Sequence, residues 1–305
     1  MIALAEEKRP EADSICVKVT GLSDKGRVRK NNEDNFAVCN VSTGEIDPPS
    51  TVRDHQLGPR GILFLVADGM GGEAFGELAS QICCTTIPKR LYENLKSMET
   101  VRETNFVLLL QEAIEFANQI IYDKALSDPS YRGMGATTTA AALFGSHLFV
   151  AQVGDSRAYV IRNGEMVQVT RDQTYLNYLS DMGVELPVDL DSDSRKGILT
   201  QAVGTSESLE VKVTYLKTRA GDRILLCSDG LYNMVKHEEM LGLAARTDSP
   251  DIRSQALIAA ANNGGGVDNI TVVLADFSGS GLAPADPQVA VEYKPFQEAD
   301  FQAAT

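Results

Sequence analysis

The sequence predicts an α+β domain arranged in layers, and two observations lead to this prediction. Short apolar segments typical of strands occur along most of the chain, and helical patterns appear in two separated pairs between groups of strands. The 305 residues are 43% hydrophobic and 23% charged, which is ordinary for a globular protein. This length is enough for one large domain or two small ones.

The acidic balance of the chain argues against several functional classes. A formal net charge of -14 is unfavourable for a general binder of nucleic acid or of anionic membranes. No apolar run approaches the roughly 20 residues that cross a bilayer, and residues 1–12 form a polar lead-in without the apolar core of a signal peptide. The five cysteines include no C-x-x-C pair, so we expect free thiols and a cytoplasmic location.

The first two predicted strands flank a charged loop. Residues 15–20 alternate weakly in polarity and predict a strand, and the adjacent pair Glu33-Asp34 opens a second short strand. The loop between them contains Arg29 among several basic residues. It is interpreted either as a solvated surface loop or as a phosphate clamp beside metal ligands. Residues 42–61, which contain three prolines, predict a long connection.

The next segment, residues 62–73, is the one on which the functional argument depends. Six apolar residues predict a buried strand, and Asp68 follows where that strand is expected to end in a turn containing Gly69, Gly71 and Gly72. Glycines allow the backbone to approach a ligand closely. Asp68 is interpreted either as a metal ligand or as a capping residue of a tight turn, and recurrence of the pattern favours the metal ligand.

Two helices are predicted after this strand. Residues 73–96 fit a helix that Pro88 should kink or split. Residues 104–126 carry apolar residues at three- and four-residue spacing, which predicts an amphipathic helix packed on the core.

The middle of the chain predicts strands joined by tight connections. Residues 147–153 and 158–162 are interpreted as a hairpin through a turn that contains Asp155, and Asn163-Gly164 predicts a two-residue turn into a return strand at 165–170. The polar segment 171–197 is interpreted as a mobile flap over one face, with a short helix near 175–182.

The last third of the chain again places Asp residues beside predicted strands. A buried strand leads into Asp229-Gly230, helices are predicted near 236–246 and 250–262, and Asp268 precedes a final strand at 270–277. Residues 278–305 have little periodicity and predict a disordered tail.

Acidic residues therefore stand at the ends of several strands. If these strands are antiparallel, Asp68, Asp229 and Asp268 emerge at the same edge, where Glu33-Asp34 can join them. Oxygen-only ligands select Mg²⁺ or Mn²⁺ rather than Zn²⁺. Two such ions about 3.5–4 Å apart would neutralise the carboxylates and generate a bridging hydroxide.

The motifs occur in an order that resembles a known family. The set resembles the type-2C metal-dependent protein serine/threonine phosphatases, and bacterial members in particular, over roughly residues 13–277. The motifs are Arg29-x-x-x-Glu33-Asp34, Asp68-Gly69-x-Gly71-Gly72, Gly154-Asp155-Ser156-Arg157, Ser228-Asp229-Gly230 and Asp268-Asn269-Ile270-Thr271.

The resemblance implies a fold and a set of residue roles. The fold would be a central β-sandwich of two antiparallel sheets flanked by helix pairs, within one domain over residues 13–277. Asp68 would bridge two ions, Asp229 and Asp268 would complete one metal site, and Glu33 and the Gly69 carbonyl would complete the other. A weaker third ion would lie at Asp155 and Asp229. Asp34 and Asn269 would orient the ligands, and Arg29 would bind phosphate.

The resemblance also implies an activity and partners. The chain would hydrolyse phosphoserine and phosphothreonine by direct attack of the bridging hydroxide, using two Mn²⁺ or Mg²⁺ ions. We expect phosphorylated proteins, a serine/threonine kinase and its substrates as partners, and a monomer. The sequence departs from the family pattern at three positions. Met70 stands where many members have a His, Asn233 where many have an Asp, and Gln173 within a flap motif.

Two other functions compete with this interpretation. A non-catalytic member that binds phosphoproteins would have no evident need for intact metal ligands. A different two-metal hydrolase, such as a nuclease, conflicts with the net charge of -14 and with the lack of a basic stripe.

Overall fold

The computed structural model describes residues 14–71, 75–184, 195 and 197–301. The strands are β1 (Cys16–Asp24), β2 (Asp34–Asn40), β3 (Glu45–Ile46), β4 (Arg53–Gln56), β5 (Ile62–Met70), β6 (Gly135–Ala136), β7 (Thr138–Phe144), β8 (His147–Val153), β9 (Arg157–Arg162), β10 (Glu165–Gln168), β11 (Lys212–Lys217), β12 (Arg223–Cys227), β13 (Ile270–Ser278) and β14 (Lys294–Pro295). The α-helices are α1 (Phe75–Lys96), α2 (Glu103–Ser127), α3 (Tyr175–Asp181), α4 (Asp229–Tyr232), α5 (His237–Ala244) and α6 (Pro250–Asn263).

The strands form two sheets. The first has the order β10-β9-β12-β13-β1-β4, and the second has the order β14-β11-β8-β7-β5-β2-β3 with β6 paired to β5. The pairings between these described strands are antiparallel. A sheet with one face on a core needs apolar residues on that face, and two such sheets satisfy each other when packed together.

The layers are arranged as helices, sheet, sheet, helices. Side chains from both sheets meet in the central core, where the rings of Phe64 and Phe277 lie 6.2 Å apart between centroids. Helices α1 and α2 pack on the outer face of the second sheet, and α4 to α6 pack on the first. The predicted α+β sandwich of two antiparallel sheets flanked by helices is therefore confirmed.

The two long helices differ in how well the sequence described them. Helix α2 matches the predicted stripe, with Phe106, Leu110 and Ala117 fully buried. Helix α1 is not split at Pro88, which lies buried inside it. A proline inside a helix costs about 3 kcal/mol through a lost hydrogen bond and a steric clash, and burial of neighbours such as Ile87 and Leu91 offsets this cost.

Two strand predictions need correction. Strand β5 does not end before Asp68 but continues to Met70, because Gly69 and Met70 pair with β6. The predicted hairpin at residues 147–162 is wrong, since β8 lies in the second sheet and β9 in the first. The chain crosses between the sheets at Gly154, whose φ of 99° suits glycine. This crossing moves Asp155 from a hairpin tip to a point between the two layers.

Other local predictions hold. Asn163 and Gly164 join β9 to β10 with φ angles of 53° and 79°, as a two-residue hairpin turn requires. The short flap helix appears as α3. Residues 185–194 and 196 of the flap lie outside the described residues, so its mobility stays a prediction. Among the described helices, none combines the length and the apolar content that spanning a membrane requires.

The structure differs from the prediction of a disordered tail over residues 278–301. Strand β14 pairs with the edge strand β11, and Leu282 is buried in the central core. Phe296 and Phe301 pack around Phe149 and Tyr215 on the second sheet. A few isolated apolar residues anchor this segment, and isolated residues leave no periodic pattern for a sequence-based prediction to detect.

We expect the combined substitutions Phe296→Ala and Phe301→Ala to destabilise the domain. Each half-buried ring should contribute roughly 2 kcal/mol, less than the 3–5 kcal/mol typical of a fully buried one. Urea unfolding monitored by circular dichroism measures the change. The control is Tyr293→Ala in the same segment, because Tyr293 is 40% exposed. Equal unfolding midpoints for the wild type and the double variant would show that the tail does not stabilise the fold.

Candidate metal centre

Acidic residues from both sheets meet at one end of the sandwich. Asp34 and Asp68 lie opposite each other in the β2–β5 pair. Asp229 follows β12 and Asp268 precedes β13, and these strands are antiparallel neighbours. Burial raises the pKa of Asp68 well above its usual range, and the charges of Asp34, Asp229, Asp155 and Asp268 raise it further. The predicted convergence of Asp68, Asp229 and Asp268 is therefore present in the fold.

Asp229 has a buried oxygen without a protein partner. Its Oδ1 is buried and accepts no hydrogen bond, whereas Oδ2 accepts one from Asn233 Nδ2 at 3.1 Å. Burial raises the pKa of Asp229 to about 7, with further contributions from Asp155 and Asp268. Leaving a buried polar atom unsatisfied costs about 1–3 kcal/mol. A cation beside Oδ1 would satisfy it.

Asp34 is held by a network between the sheets. Ser228 Oγ donates to Asp34 Oδ2 at 2.6 Å and accepts from the Thr271 backbone N–H at 3.0 Å. Burial raises the pKa of Asp34 to about 6, although the hydrogen bond from Ser228 opposes this shift. The sequence analysis quoted Ser228 only as part of a motif. Its place directly before Asp229 was the signal of a positioning role.

The Glu33 side of the site depends on two glycines. The Gly69 backbone N–H donates to the Glu33 carbonyl at 3.2 Å. A Cβ on Gly69 would lie 2.1 Å from the Gly76 carbonyl oxygen, and a Cβ on Gly76 would lie 2.9 Å from Glu33 Oε2. Only glycine permits this close approach of β5, α1 and the Glu33 carboxylate. Gly72 of the same motif lies outside the described residues.

Asn269 connects the metal-ligand candidates of the two sheets. Its Nδ2 donates to the carbonyl oxygens of Lys25 and Asn31, both at 2.9 Å, and its Oδ1 accepts from the Glu33 backbone N–H at 2.8 Å. A side-chain amide provides two donors and one acceptor at once. Asn269 therefore ties the charged loop to the start of β13 and fixes the position of Glu33 relative to Asp268.

Arg29 contacts a predicted metal ligand. Its Nη2 donates to Asp268 Oδ2 at 2.7 Å. This hydrogen bond raises the pKa of Arg29 against the effect of burial, with smaller contributions from the charges of Glu33 and Asp229. The Arg29 guanidinium therefore lies within reach of acidic side chains from both sheets, Glu33 beside β2 and Asp229 and Asp268 beside β12 and β13. Phosphate binding by Arg29 stays a prediction.

Asp155 lies beside a second part of the site. A cavity of about 450 Å³ is lined by Asp155 and Asp229, together with Tyr232 and Asn233. Burial raises the pKa of Asp155 to about 6, and the charge of Asp172 contributes to the shift. Asn233 donates its amide to Asp229 and adds no carboxylate to the cavity. The weaker third ion stays a prediction.

Contacts at the start of the flap, at Asp172 and Gln173, were not predicted from the sequence. Arg157 Nε and Nη2 bind Asp172 at 3.0 and 2.6 Å. The Arg157 guanidinium carbon lies 3.5 Å from the centre of the Tyr232 ring. Gln173 Oε1 accepts from the Gly154 backbone N–H at 2.8 Å. Arg157 was visible as part of a motif, but its partner Asp172 lies in a region without a readable pattern.

The residues present fit hard divalent cations. Within the described ranges, no three His, Cys, Asp or Glu side chains form a closed metal-binding group by themselves. The donors that converge are nevertheless oxygens, and one of them, Asp229 Oδ1, is buried without a partner. Mg²⁺ and Mn²⁺ accept a few carboxylates and complete their shells with water. The donor types therefore fit these ions, and the assignment of each ligand stays a prediction.

The two-sheet sandwich flanked by helices is the fold of solved bacterial serine/threonine phosphatases to which this chain is similar. A protein-family model described as Protein phosphatase 2C matches residues 52–257. The chain belongs to this family, whose curated relatives are named serine/threonine protein phosphatases.

Relatives from several bacteria support the family assignment. The chain is 34% identical over 265 residues to serine/threonine protein phosphatase PstP of Mycobacterium tuberculosis, covering 86% of this chain and 45% of that protein. The chain thus spans about half the length of that relative. Serine/threonine phosphatase stp of Listeria innocua is 33% identical over 254 residues, covering 83% of this chain and 93% of that protein.

Solved structures share the fold. The serine/threonine phosphatase of S. agalactiae has a TM-score of 0.73 at 30% identity, covering 85% of this chain and 99% of that one. The catalytic domain of PstP in complex with two manganese ions has a TM-score of 0.68 at 32% identity, covering 87% of this chain and 99% of that one.

We expect Mn²⁺ to raise the melting temperature of the wild type and not that of Asp68→Asn. A ligand that binds only the folded state adds about 2.7 kcal/mol at a free concentration about 100 times its Kd. In a chelator, Asp68→Asn should melt at or above the wild-type temperature, because it relieves repulsion among buried carboxylates. Differential scanning calorimetry with chelator or with excess Mn²⁺ measures both effects.

The control for this experiment is Asp54→Asn on β4. It removes the same charge from a side chain that is 77% exposed, and it should keep the full response to Mn²⁺. A full Mn²⁺ response in Asp68→Asn would remove Asp68 from the metal site.

Proposed function

We propose that this chain removes phosphate from phosphoserine and phosphothreonine in proteins. The observation that carries the proposal is the convergence of Asp34, Asp68, Asp229 and Asp268 from distant parts of the sequence, with Asp229 Oδ1 buried and unpartnered. Membership of the Protein phosphatase 2C family supports the same reaction. The structure of the PstP catalytic domain in complex with two manganese ions supports two ions of that kind here.

The proposal divides the ligands into two groups. Asp229 and Asp268 would hold one ion, and Glu33 and the Gly69 carbonyl would hold the other. Asp68 would contact both ions. When bound, the two cations neutralise the carboxylates and activate a water for direct attack on phosphorus. No covalent intermediate on the enzyme is needed.

The chain's own side chains prepare the site for this reaction. Asp34, held by Ser228, fixes the end of β2 against Asp68, and Asn269 fixes the Glu33 backbone. Arg29 lies on Asp268 with 52% of its side chain exposed, so the guanidinium can exchange Asp268 for phosphate oxygens, which its planar fork matches. Met70 has no proton to donate to the leaving oxygen, and we assign that proton to water.

The substrates and setting follow from the same proposal. The substrates are phosphorylated proteins, and a serine/threonine kinase is the expected opposing enzyme. The five cysteines are free thiols, four of them buried, which supports the proposed cytoplasmic location.

The test is Mn²⁺-dependent release of phosphate from p-nitrophenyl phosphate and from a phosphothreonine peptide. Asp229→Asn should lower kcat/KM roughly 100-fold or more, as expected when charge stabilisation in the transition state is lost. Asp54→Asn should retain wild-type rates. Metal binding by calorimetry without turnover would favour a phosphoprotein-binding module, and cleavage of DNA would favour a nuclease.

We expect Arg29→Ala to raise KM for phosphopeptides more than it lowers kcat, because Arg29 would bind the phosphate in both the ground and transition states. Arg29→Lys should recover only part of the affinity, since an ammonium lacks the planar fork. The variant should keep the Mn²⁺-induced rise in melting temperature. Loss of that rise would show that Arg29 maintains the metal site and does not bind the phosphate.

A further inference from the structure

We propose that the loop at residues 25–30 is a subsite for acidic residues that flank the phosphorylated residue of the substrate. We call this segment the basic loop, and the inference rests on the proposed phosphatase function. The loop departs from the rest of the chain, which has 28 basic and 42 acidic residues. Its four basic residues within six positions are Lys25, Arg27, Arg29 and Lys30.

The basic loop is fixed against the metal centre. The Lys25 carbonyl accepts from Asn269 Nδ2 at 2.9 Å, and the Arg27 backbone N–H donates to the Gly266 carbonyl at 2.7 Å. Gly26 has a φ of 78°, and a Cβ there would lie 2.2 Å from the Asp268 carbonyl oxygen. The loop backbone therefore packs directly on a predicted metal ligand. A fixed loop loses little conformational entropy when it binds a peptide.

The basic side chains of this loop lie at the surface, where Arg27 Nε donates to the Asn262 carbonyl at 2.8 Å and Arg29 Nη2 to Asp268 Oδ2 at 2.7 Å. Its four basic residues are exposed, and Val28 between them is 64% exposed. The Val28 backbone N–H donates to the Gly266 carbonyl at 3.3 Å. Val28 therefore lies beside the loop that contains Gly266 and Val267, and Val267 is 49% exposed. Cationic groups and two exposed valines thus share one surface next to Arg29. Such a surface suits an extended peptide that carries carboxylates.

The charges around the site favour acidic residues on this side. The net charge of -14 repels an acidic peptide in general, so a local cluster of cations has a large relative effect. On the side of the 450 Å³ cavity, Asp155 and Asp229 line the wall. The guanidinium of Arg157 there is held by Asp172 and offers no free charge. The basic loop, with Lys25, Arg27 and Lys30 exposed besides Arg29, therefore attracts an acidic flank more strongly than the cavity side does.

The test compares phosphothreonine peptides of one core sequence. One peptide carries Asp and Glu before the phosphothreonine, one carries them after it, and one has Asn and Gln at all these positions. We expect one acidic peptide to have a kcat/KM about fivefold above the neutral peptide, as a few exposed ion pairs would give. The advantage should shrink at 1 M ionic strength, where the Debye length is about 3 Å.

The variant Lys25→Glu with Arg27→Glu should abolish or reverse this preference. The ratio of kcat/KM for acidic and neutral peptides is taken within each variant, so that changes in the metal centre cancel. Lys89→Glu, an exposed residue of α1 on the outer face of the second sheet, should keep the wild-type ratio. An unchanged ratio in the double variant, or no preference in the wild type, overturns the inference while the phosphatase function stands.

A binding measurement makes the test independent of turnover. The same peptides, with a non-hydrolysable phosphonate in place of the phosphate and a fluorescent label, are titrated with wild type and the double variant. Fluorescence anisotropy should show tighter binding of the acidic peptide to the wild type alone. Equal dissociation constants overturn the inference. Binding preference without phosphate release would instead contradict the proposed function.

Discussion

The structure depends on bringing mutually repelling carboxylates to one end of two packed sheets. Burial raises the pKa of Asp34, Asp68 and Asp229, and the charge of Asp268 raises each of them further. The fold tolerates them because antiparallel pairing within each sheet and the apolar core between the sheets fix the strand ends. In the proposed function this repulsion is the physical basis of metal affinity, since a pair of hard cations would relieve it.

The sequence was sufficient for the features that depend on local pattern. Alternating and apolar segments predicted the layers, the spacing in α2 predicted its buried face, and Asn163-Gly164 predicted its turn. Asp68 and Asp229 were found because each follows an apolar strand segment and precedes a glycine, and Asp268 because it precedes the last strand. Antiparallel neighbours then had to bring Asp229 and Asp268 together, and the observed β12–β13 pairing does so.

Features that depend on distant contacts were not predictable in this way. The crossing at Gly154 looks like a hairpin in sequence, because the spacing of two strands does not reveal whether they pair. Asn269 binds Lys25, Asn31 and Glu33, which are more than 200 positions away along the chain. The pairing of Arg157 with Asp172 and the packing of Phe301 likewise have no local signature. In each case a single residue makes the contact. A single residue leaves no pattern in the sequence that would reveal its distant partner.

The C-terminal segment covers an edge strand of the second sheet that could otherwise pair with another molecule. Strand β11 would be the outermost strand of the second sheet without β14, and its backbone N–H and C=O groups would face solvent. An unprotected strand margin of this kind is a template for pairing with another polypeptide. Strand β14 takes the outermost position instead, and its Pro295 has no N–H to offer to a further strand. Proteolytic removal of the residues after Ser278 would therefore leave β11 open to strand addition by another polypeptide.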